Sequence, residues 1–243
     1  DCVLTGGGHP DSERRHKTNG FKWSEGLVRA VTASTGGVLE AVAAALKDGV
    51  SGSLSSGLHH AHRDRGEGFC TFNGLAVAAL CALEQGDVHS VLIIDLDAHW
   101  GNGTMEIVGD DPRIEIIDVS TGTWEGRVAE VGRREAHYLN HAVDYIATVE
   151  RLLEGIDPRS VDLVLYNAGM DPHEDCGIGQ MAAMTDAVLE QREETVFQWC
   201  ERYRLPVAFV LAGGYATGGL TPERLVDLHR LTIAAAAQTS GAA

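Results

Sequence analysis

The chain has 243 residues, 44% of them hydrophobic, which suits one large α/β domain with a sizeable core. A formal net charge of −16 argues against direct nucleic-acid binding, where a basic footprint is expected, and is compatible with a basic partner such as a lysine-rich tail or a polyamine. Five scattered cysteines with no C-x-x-C pair argue against a disulfide framework or a thiolate zinc site. With no signal peptide at the start and no apolar run of membrane-spanning length, they set the expectation of a cytoplasmic protein with no membrane partner.

In chain order, Ser24 is placed to cap a helix running to about Lys47, with Leu27, Val31, Val38, Val42 and Leu46 on one stripe and Asp48-Gly49 at its end. Gly36-Gly37 weakens its middle or allows close packing there. "SGSLSSGL" reads as a weak strand, and "GLAVAALCALEQG" after Asn73 as a second helix. "SVLIIDLD", "IEIIDV" and "VDLVLYNAG" are apolar runs too short for helices. "PVAFVLAGG" is a fourth, after a helical segment from about Met181 to Arg204, and "LTIAAAAQTSGAA" reads as a helix end with a frayed tail. Continuous apolar runs separated by helices indicate parallel strands covered on both faces. No repeat, low-complexity linker or Pro-rich hinge divides the chain, so residues 1–243 read as a single domain.

The polar residues fall where such a sheet places its ligands. Asp95, Asp97 and His99 follow "VLIID", Asp171 follows "VLYNAG", Tyr215 follows "FVLAGG", and His59 and His60 follow "SGSLSSGL". All are at carboxyl ends of expected strands, the rim where open α/β sheets hold ligands. Asp97 and His99, two apart on extended chain, can face one side. With Asp171 they supply three metal ligands and leave a position for water, the ligand count of a catalytic zinc site. Asp95 faces away and can orient a histidine from behind. Without Asp171, the same acids would read equally well as helix caps or strand ends.

Adjacent imidazoles such as His59 and His60 need an unusual turn or a site that uses both, since neighbouring side chains on extended chain point to opposite faces. Beside a metal-activated water, one can take and return a proton while the other holds the water and tunes charge. Asp95 and Asn102 are candidate partners for their far nitrogens. Tyr215, after Gly213-Gly214, can point its hydroxyl at a developing oxyanion. His62, beside the charged run "RDRGEG", reads as structural or solvated. Cys70 reads as core, Cys176 as an exposed loop thiol, His173 as solvent-facing, and Trp23 and Trp199 as helix-face aromatics.

"GLHHAHRDRGEGFCTFNGLAVAA", "VLIIDLDAHWGNGT", "LVLYNAGMDP" and "LAGGY" resemble, in this order, the four signature blocks of the zinc-dependent histone deacetylase family, over most of the chain from about Gly20. "RGEGFC" and "HWGNGT", with "GFKWSEGLVRAV" upstream, are most similar to the class IV type and its bacterial relatives. The resemblance implies the arginase/deacetylase fold, a mostly parallel sheet flanked by helices. Set against that resemblance, the expectation is a chain without part of the family's usual N-terminal region, in which residues 1–20 read as an atypical segment.

It implies Asp97, His99 and Asp171 as zinc ligands, with Fe²⁺ as the alternative ion. His60 would be the general base and acid, His59 an electrostatic helper paired with Asp95, and Tyr215 the residue that polarises the carbonyl. Gly68 and Phe69 would wall the acyl channel. A structural K⁺ would sit by Asp95, the carbonyls of Asp97 and His99, and the hydroxyl of Ser120. The implied substrate is an acyl-lysine protein or peptide, or an acetylated polyamine.

The stretch after Ser120 is shorter than the family's usual loop, which leaves a pocket that is wider, shallower or completed by a second chain in an oligomer. Two rival readings are a binuclear manganese ureohydrolase of the arginase type, for which Trp100-Gly101-Asn102 lacks the extra carboxylate, and a non-catalytic binder of acyl-lysine or a partner.

Overall fold

In the computed structural model, residues 19–86, 88–121 and 134–239 are described, Arg134 and Glu135 by backbone alone. Their chain order is α1 (Glu25–Asp48), β1 (Val50–Ser53), α2 (Gly74–Gln85), β2 (Val91–Asp95), α3 (Asn102–Val108), β3 (Ile114–Thr121), β4 (Arg134–Leu139), α4 (Tyr145–Gly155), β5 (Leu163–Ala168), α5 (Asp186–Tyr203), β6 (Val207–Leu211) and α6 (Pro222–Thr239). The strands form one sheet in the order β1-β6-β5-β2-β3-β4, and every pairing is parallel.

Strand order explains the position of the site. From β2 the chain builds outward through β3 and β4, then returns to β5 on the other flank of β2. Connections leave β2 and β5 in opposite directions, so a crevice opens between their carboxyl ends. Pairing of Asp95 with Asn167 and of Asp95 with Asp118 brings three polar side chains to one level across β5, β2 and β3.

The strands read as unbroken apolar runs because both faces are covered. Val91, Ile93, Leu163, Leu165, Ala208 and Val210 pack towards α1 and α2. Leu92, Ile94, Val164 and Tyr166 point the other way, into a larger core with Val149 and Leu152 of α4 and Val196 and Phe197 of α5.

α1 starts as its cap predicts, with the Ser24 hydroxyl accepting from Leu27 N at 3.0 Å and Gly49 closing it at φ 89°. Its buried stripe is Val31, Val38, Ala41, Val42 and Ala45, and it packs on β1, β6 and α2. By length and average composition this 24-residue helix is long and apolar enough to cross a membrane, which corrects the expectation of no such run. Alanines and valines raise its mean hydropathy although Arg29, Glu40 and Lys47 interrupt it.

α5 begins at Asp186, later than the expected Met181, because Ala183 takes φ 62° and breaks the preceding turn. β4, α3 and α4 are not anticipated from the sequence pattern, and α6 is anticipated only at its end, "LTIAAAAQT". β4 is a polar edge strand, "REAHYL". α4 carries an i, i+4, i+7, i+8 stripe in Tyr145, Val149, Leu152 and Leu153. Of the shortened stretch after Ser120, residues 122–133 lie outside the described residues, and the remainder forms the end of β3, β4 and the turn into α4.

An ion pair sits inside the core. Arg192 and Glu193 of α5 are both fully buried. Arg192 Nε donates to Glu193 Oε1 at 2.7 Å and Nη1 to the carbonyl of Leu96 at 3.0 Å, and the Tyr166 hydroxyl donates to Glu193 Oε1 at 2.9 Å. Removing one partner of such a pair leaves an uncompensated charge in low dielectric. Arg192→Met is therefore expected to lower stability by about 3–5 kcal/mol, and Arg192→Met with Glu193→Gln to recover part of that loss. Chemical denaturation of both variants measures it, and an unchanged midpoint in the single variant would show the pair to be energetically neutral.

Candidate active site

The loop after β1 answers the problem of the paired histidines. Leu58 adopts φ 57°, a left-handed turn uncommon for a branched residue, and His59 and His60 emerge with ring centroids 4.1 Å apart. Asn73, the cap of α2, ties the loop down. Its Oδ1 accepts from Ala76 N at 2.9 Å while Nδ2 donates to the carbonyls of His59 and Ala61, both at 3.2 Å. His59 Nδ1 meets Asp95 Oδ2 at 2.8 Å, and His60 Nδ1 meets Asn102 Oδ1 at 2.7 Å. Both partners expected from the sequence are therefore in place. Gly68 packs on the same pair. At φ 52° it sits where an added Cβ would lie 2.5 Å from the His60 ring, so only glycine fits.

Asp97, His99 and Asp171 converge, with one donor atom from each lying within 4.8 Å of the others. β2 ends at Asp95, so a turn rather than a continuing strand brings Asp97 and His99 to one side. Backbone amides aim the carboxylates. Gly213 N donates to Asp97 Oδ2 at 2.7 Å and Ala98 N to Asp171 Oδ1 at 2.9 Å. The remaining oxygens, Asp97 Oδ1 and Asp171 Oδ2, lie 3.1 and 2.9 Å from His99 Nδ1. Asp171 Oδ2 is buried and, its ion pair with His99 apart, has no polar partner aligned with it among the described residues. An oriented, unsatisfied carboxylate oxygen beside a second carboxylate and an imidazole fits a divalent cation. The O, N, O donor set suits Zn²⁺ or Fe²⁺.

Charge is unevenly shared. Burial opposes charge on His59, but the carboxylates of Asp95 and Asp97 override it and push its pKa up to about 9. Burial and the neighbouring His59 push His60 down to about 4. At neutral pH one ring of the pair is thus an imidazolium and the other neutral. His99 is raised to about 10, because Asp171 and Asp97 outweigh the burial that disfavours its charge. Asp171 is raised to about 6 by burial and by Asp97.

Tyr215 joins the group, its ring perpendicular to that of His99 with centroids 6.3 Å apart. Its hydroxyl is held above its usual pKa by burial and by Asp171 and Asp97. A cavity of about 230 Å³ is bounded by His59, His60, Asp97, Tyr215, Gly68 and Phe69 among others, so the residues expected to wall a channel and those expected to act in it line the same space. Phe69 is 53% exposed at the rim and packs on Phe21.

Ser120 is fully buried, and its hydroxyl donates to Asp118 Oδ1 at 2.9 Å. Asp118, which sequence reasoning passes over, is the residue paired with Asp95 across the strands, and its Oδ2 accepts from Gly101 N at 2.8 Å. Burial and Asp95 hold the Asp118 carboxyl well above its usual range. Asn167, also unanticipated, donates to Asp95 Oδ1 at 2.8 Å. Its only sequence signal is a polar residue inside the run "LVLYNA".

Two bland expectations are corrected. Cys176 is fully buried, its thiol donating to the carbonyl of Ile178 at 3.1 Å. His173 is buried, with Nε2 at 2.9 Å from Asp186 Oδ1, because the segment after Asp171 folds back under α5. His62 is structural, set between Glu67 and Glu106. Cys70 and Trp199 are buried as expected, whereas Trp23 is half-exposed just before the cap of α1.

Fold and site together define a parallel α/β protein with a carboxylate–imidazole group, of a kind able to hold a metal ion, at the switch point of its sheet. The Histone deacetylase domain model matches residues 7–226, and the chain belongs to that family. It is 34% identical over 224 residues to an uncharacterized protein of Picosynechococcus sp., covering 85% of this chain and 69% of that protein. It is 28% identical over 190 residues to histone deacetylase 2 of Arabidopsis thaliana, covering 74% of this chain and 48% of that protein, and so spans about half the length of the plant relative. The crystal structure of acetylpolyamine aminohydrolase from Burkholderia pseudomallei superposes with a TM-score of 0.70 at 23% identity, covering 90% of this chain and 65% of that one, and shows the same fold.

With its pKa pushed up to about 10, His99 is expected to carry a second ring proton at neutral pH, on the nitrogen that an entering cation would take. Calorimetric titration of zinc into the protein at about pH 7.5, in buffers of differing ionisation enthalpy, is expected to show roughly one proton released per ion. Affinity should weaken further as pH falls through 6 and Asp171 takes up a proton. Binding with no proton release would remove His99 from the ligand set.

Proposed function

We propose that the chain is a zinc- or iron-dependent amide hydrolase that removes an acyl group from the side-chain amine of a lysine, in a protein or peptide, or from a polyamine. The observation that carries this reading is the histidine pair, His59 held by Asp95 and His60 by Asn102, which lines one cavity with Asp97 and Tyr215, while His99 and Asp171 gather on Asp97 behind it. Membership of the deacetylase family and a fold shared with an acetylpolyamine aminohydrolase support it.

The cation held by Asp97, His99 and Asp171 would polarise the acyl carbonyl and lower the pKa of water at the site. His60, neutral and protonated on Nδ1, presents Nε2 to take a proton from the attacking water. His59, charged and pinned by Asp95, stabilises the negative charge that then develops. Tyr215, kept in its phenol form, donates to the carbonyl oxygen as it becomes an oxyanion. His60 next hands its proton to the departing amine, so a carboxylate and a free amine leave.

A cationic amine suits a chain of net charge −16, and the exposed ring of Phe69 suits the aliphatic stem that precedes the amide. A K⁺ near Asp95 and Ser120 would neutralise the buried Asp95–Asp118 pair from below.

The test is hydrolysis of acyl-lysine peptides and acetylated polyamines by the zinc-loaded protein. Tyr215→Phe is expected to lower kcat by about 100- to 1000-fold with metal content unchanged. Asp171→Ala is expected to lose the metal. Undiminished turnover in Tyr215→Phe would remove the phenol from the mechanism. One ion bound per chain with no turnover on any acyl amide would favour a binding protein.

A further inference from the structure

His60 can accept a proton on Nε2 only if its other proton stays on Nδ1, and that depends on which end of the Asn102 amide faces it. The two ends of a carboxamide are nearly identical in shape and opposite in hydrogen-bonding character. Asn102 is the first residue of α3, and its Oδ1 accepts both from His60 Nδ1 at 2.7 Å and from Gly103 N at 3.0 Å. Its Nδ2 donates to Glu67 Oε1 at 2.8 Å. Turned over, the amide would set NH₂ against the His60 and Gly103 donors and its oxygen against a carboxylate.

Glu67 is itself well anchored. Its backbone pairs with Cys70 in both directions, at 3.1 and 2.7 Å. Its second oxygen lies 3.1 Å from His62 Nε2 and 3.7 Å from Arg65 Nε. His62 in turn is bound to Glu106 of α3, so the loop and α3 are tied at two points. The next residue along is Gly68, which packs on the His60 ring.

We propose that Glu67 is a positioning residue: by accepting the amide N–H of Asn102 it fixes that amide's orientation, and so holds His60 in the Nδ1-protonated tautomer required of a base. The role of the tautomer in turnover rests on the function proposed above. The tautomer itself does not, and it can be observed without any substrate.

Long-range ¹H–¹⁵N correlation spectra of ¹⁵N-labelled protein, with and without zinc, report the protonated nitrogen of His60. The wild type is expected to show Nδ1–H alone. Glu67→Ala, and Glu67→Met as a bulkier variant that also lacks an acceptor, should show a mixture of tautomers and a kcat lower by roughly 10- to 100-fold at unchanged KM. Glu67→Gln, which still offers an acceptor, should restore both. Asn102→Asp combined with Glu67→Ala should restore Nδ1–H as well, because a carboxylate presents acceptors whichever way it turns.

Pure Nδ1–H in both Glu67→Ala and Glu67→Met would overturn the proposal. So would a fall in kcat with the tautomer unaltered. A tautomer that shifts as expected in a protein that hydrolyses no acyl amide would uphold the positioning role and overturn only the function proposed for the site.

Discussion

Burial of negative charge at the carboxyl edge of the sheet is the constraint from which the rest of the site follows. Asp95, Asp97, Asp118 and Asp171 are each no more than 3% exposed. A carboxylate in that setting is costly unless paired or hydrogen-bonded. Two histidines, the amide of Asn167, the hydroxyl of Ser120 and a set of backbone N–H groups converge to meet the demand. His59 answers Asp95, His99 answers Asp97 and Asp171, and the amides of Ala98, Gly101 and Gly213 answer Asp171, Asp118 and Asp97. Gly213 is glycine for this reason, since an added Cβ would lie 2.3 Å from Asp171 Oδ2.

A buried ion pair on the α5 side of the sheet holds this arrangement steady. Arg192 reaches from α5 to the carbonyl of Leu96, between Asp95 and Asp97, while Glu193 binds the hydroxyl of Tyr166 on β5. One buried ion pair thus braces the strand exits on either side of the crevice. On the open side, the loop from His59 to Cys70 is braced by Asn73 and Asn102. The site lies between a rigid floor and a loop whose polar contacts set the proton position on His60.

How much of this was legible in the sequence depended on how local the cause was. The runs "VLIID" and "LVLYNA" announced β2 and β5 because strands buried on both faces must be apolar throughout. Asp97, His99, Asp171, the histidine pair and Tyr215 stood out because each interrupts or follows such a run. β4 was hidden because an edge strand tolerates charge, and Asp118 because it lies within an apolar strand, with a role that exists only opposite Asp95. Arg192 and Glu193, within "EQREET", resemble the solvated face of any surface helix. Nothing near them in the chain shows that they are buried.

By itself the sequence determined the α/β alternation, the family, and which residues stand at the strand exits, because these follow from hydrophobic period and motif order along the chain. Tertiary structure alone decided which oxygen of each carboxylate is aimed at His99, that His59 meets Asp95 while His60 meets Asn102, and that Glu67 reaches Asn102 across 35 residues. Those outcomes depend on electrostatic fields and hydrogen-bond directions that change over an ångström, between groups that meet only when the sheet has closed.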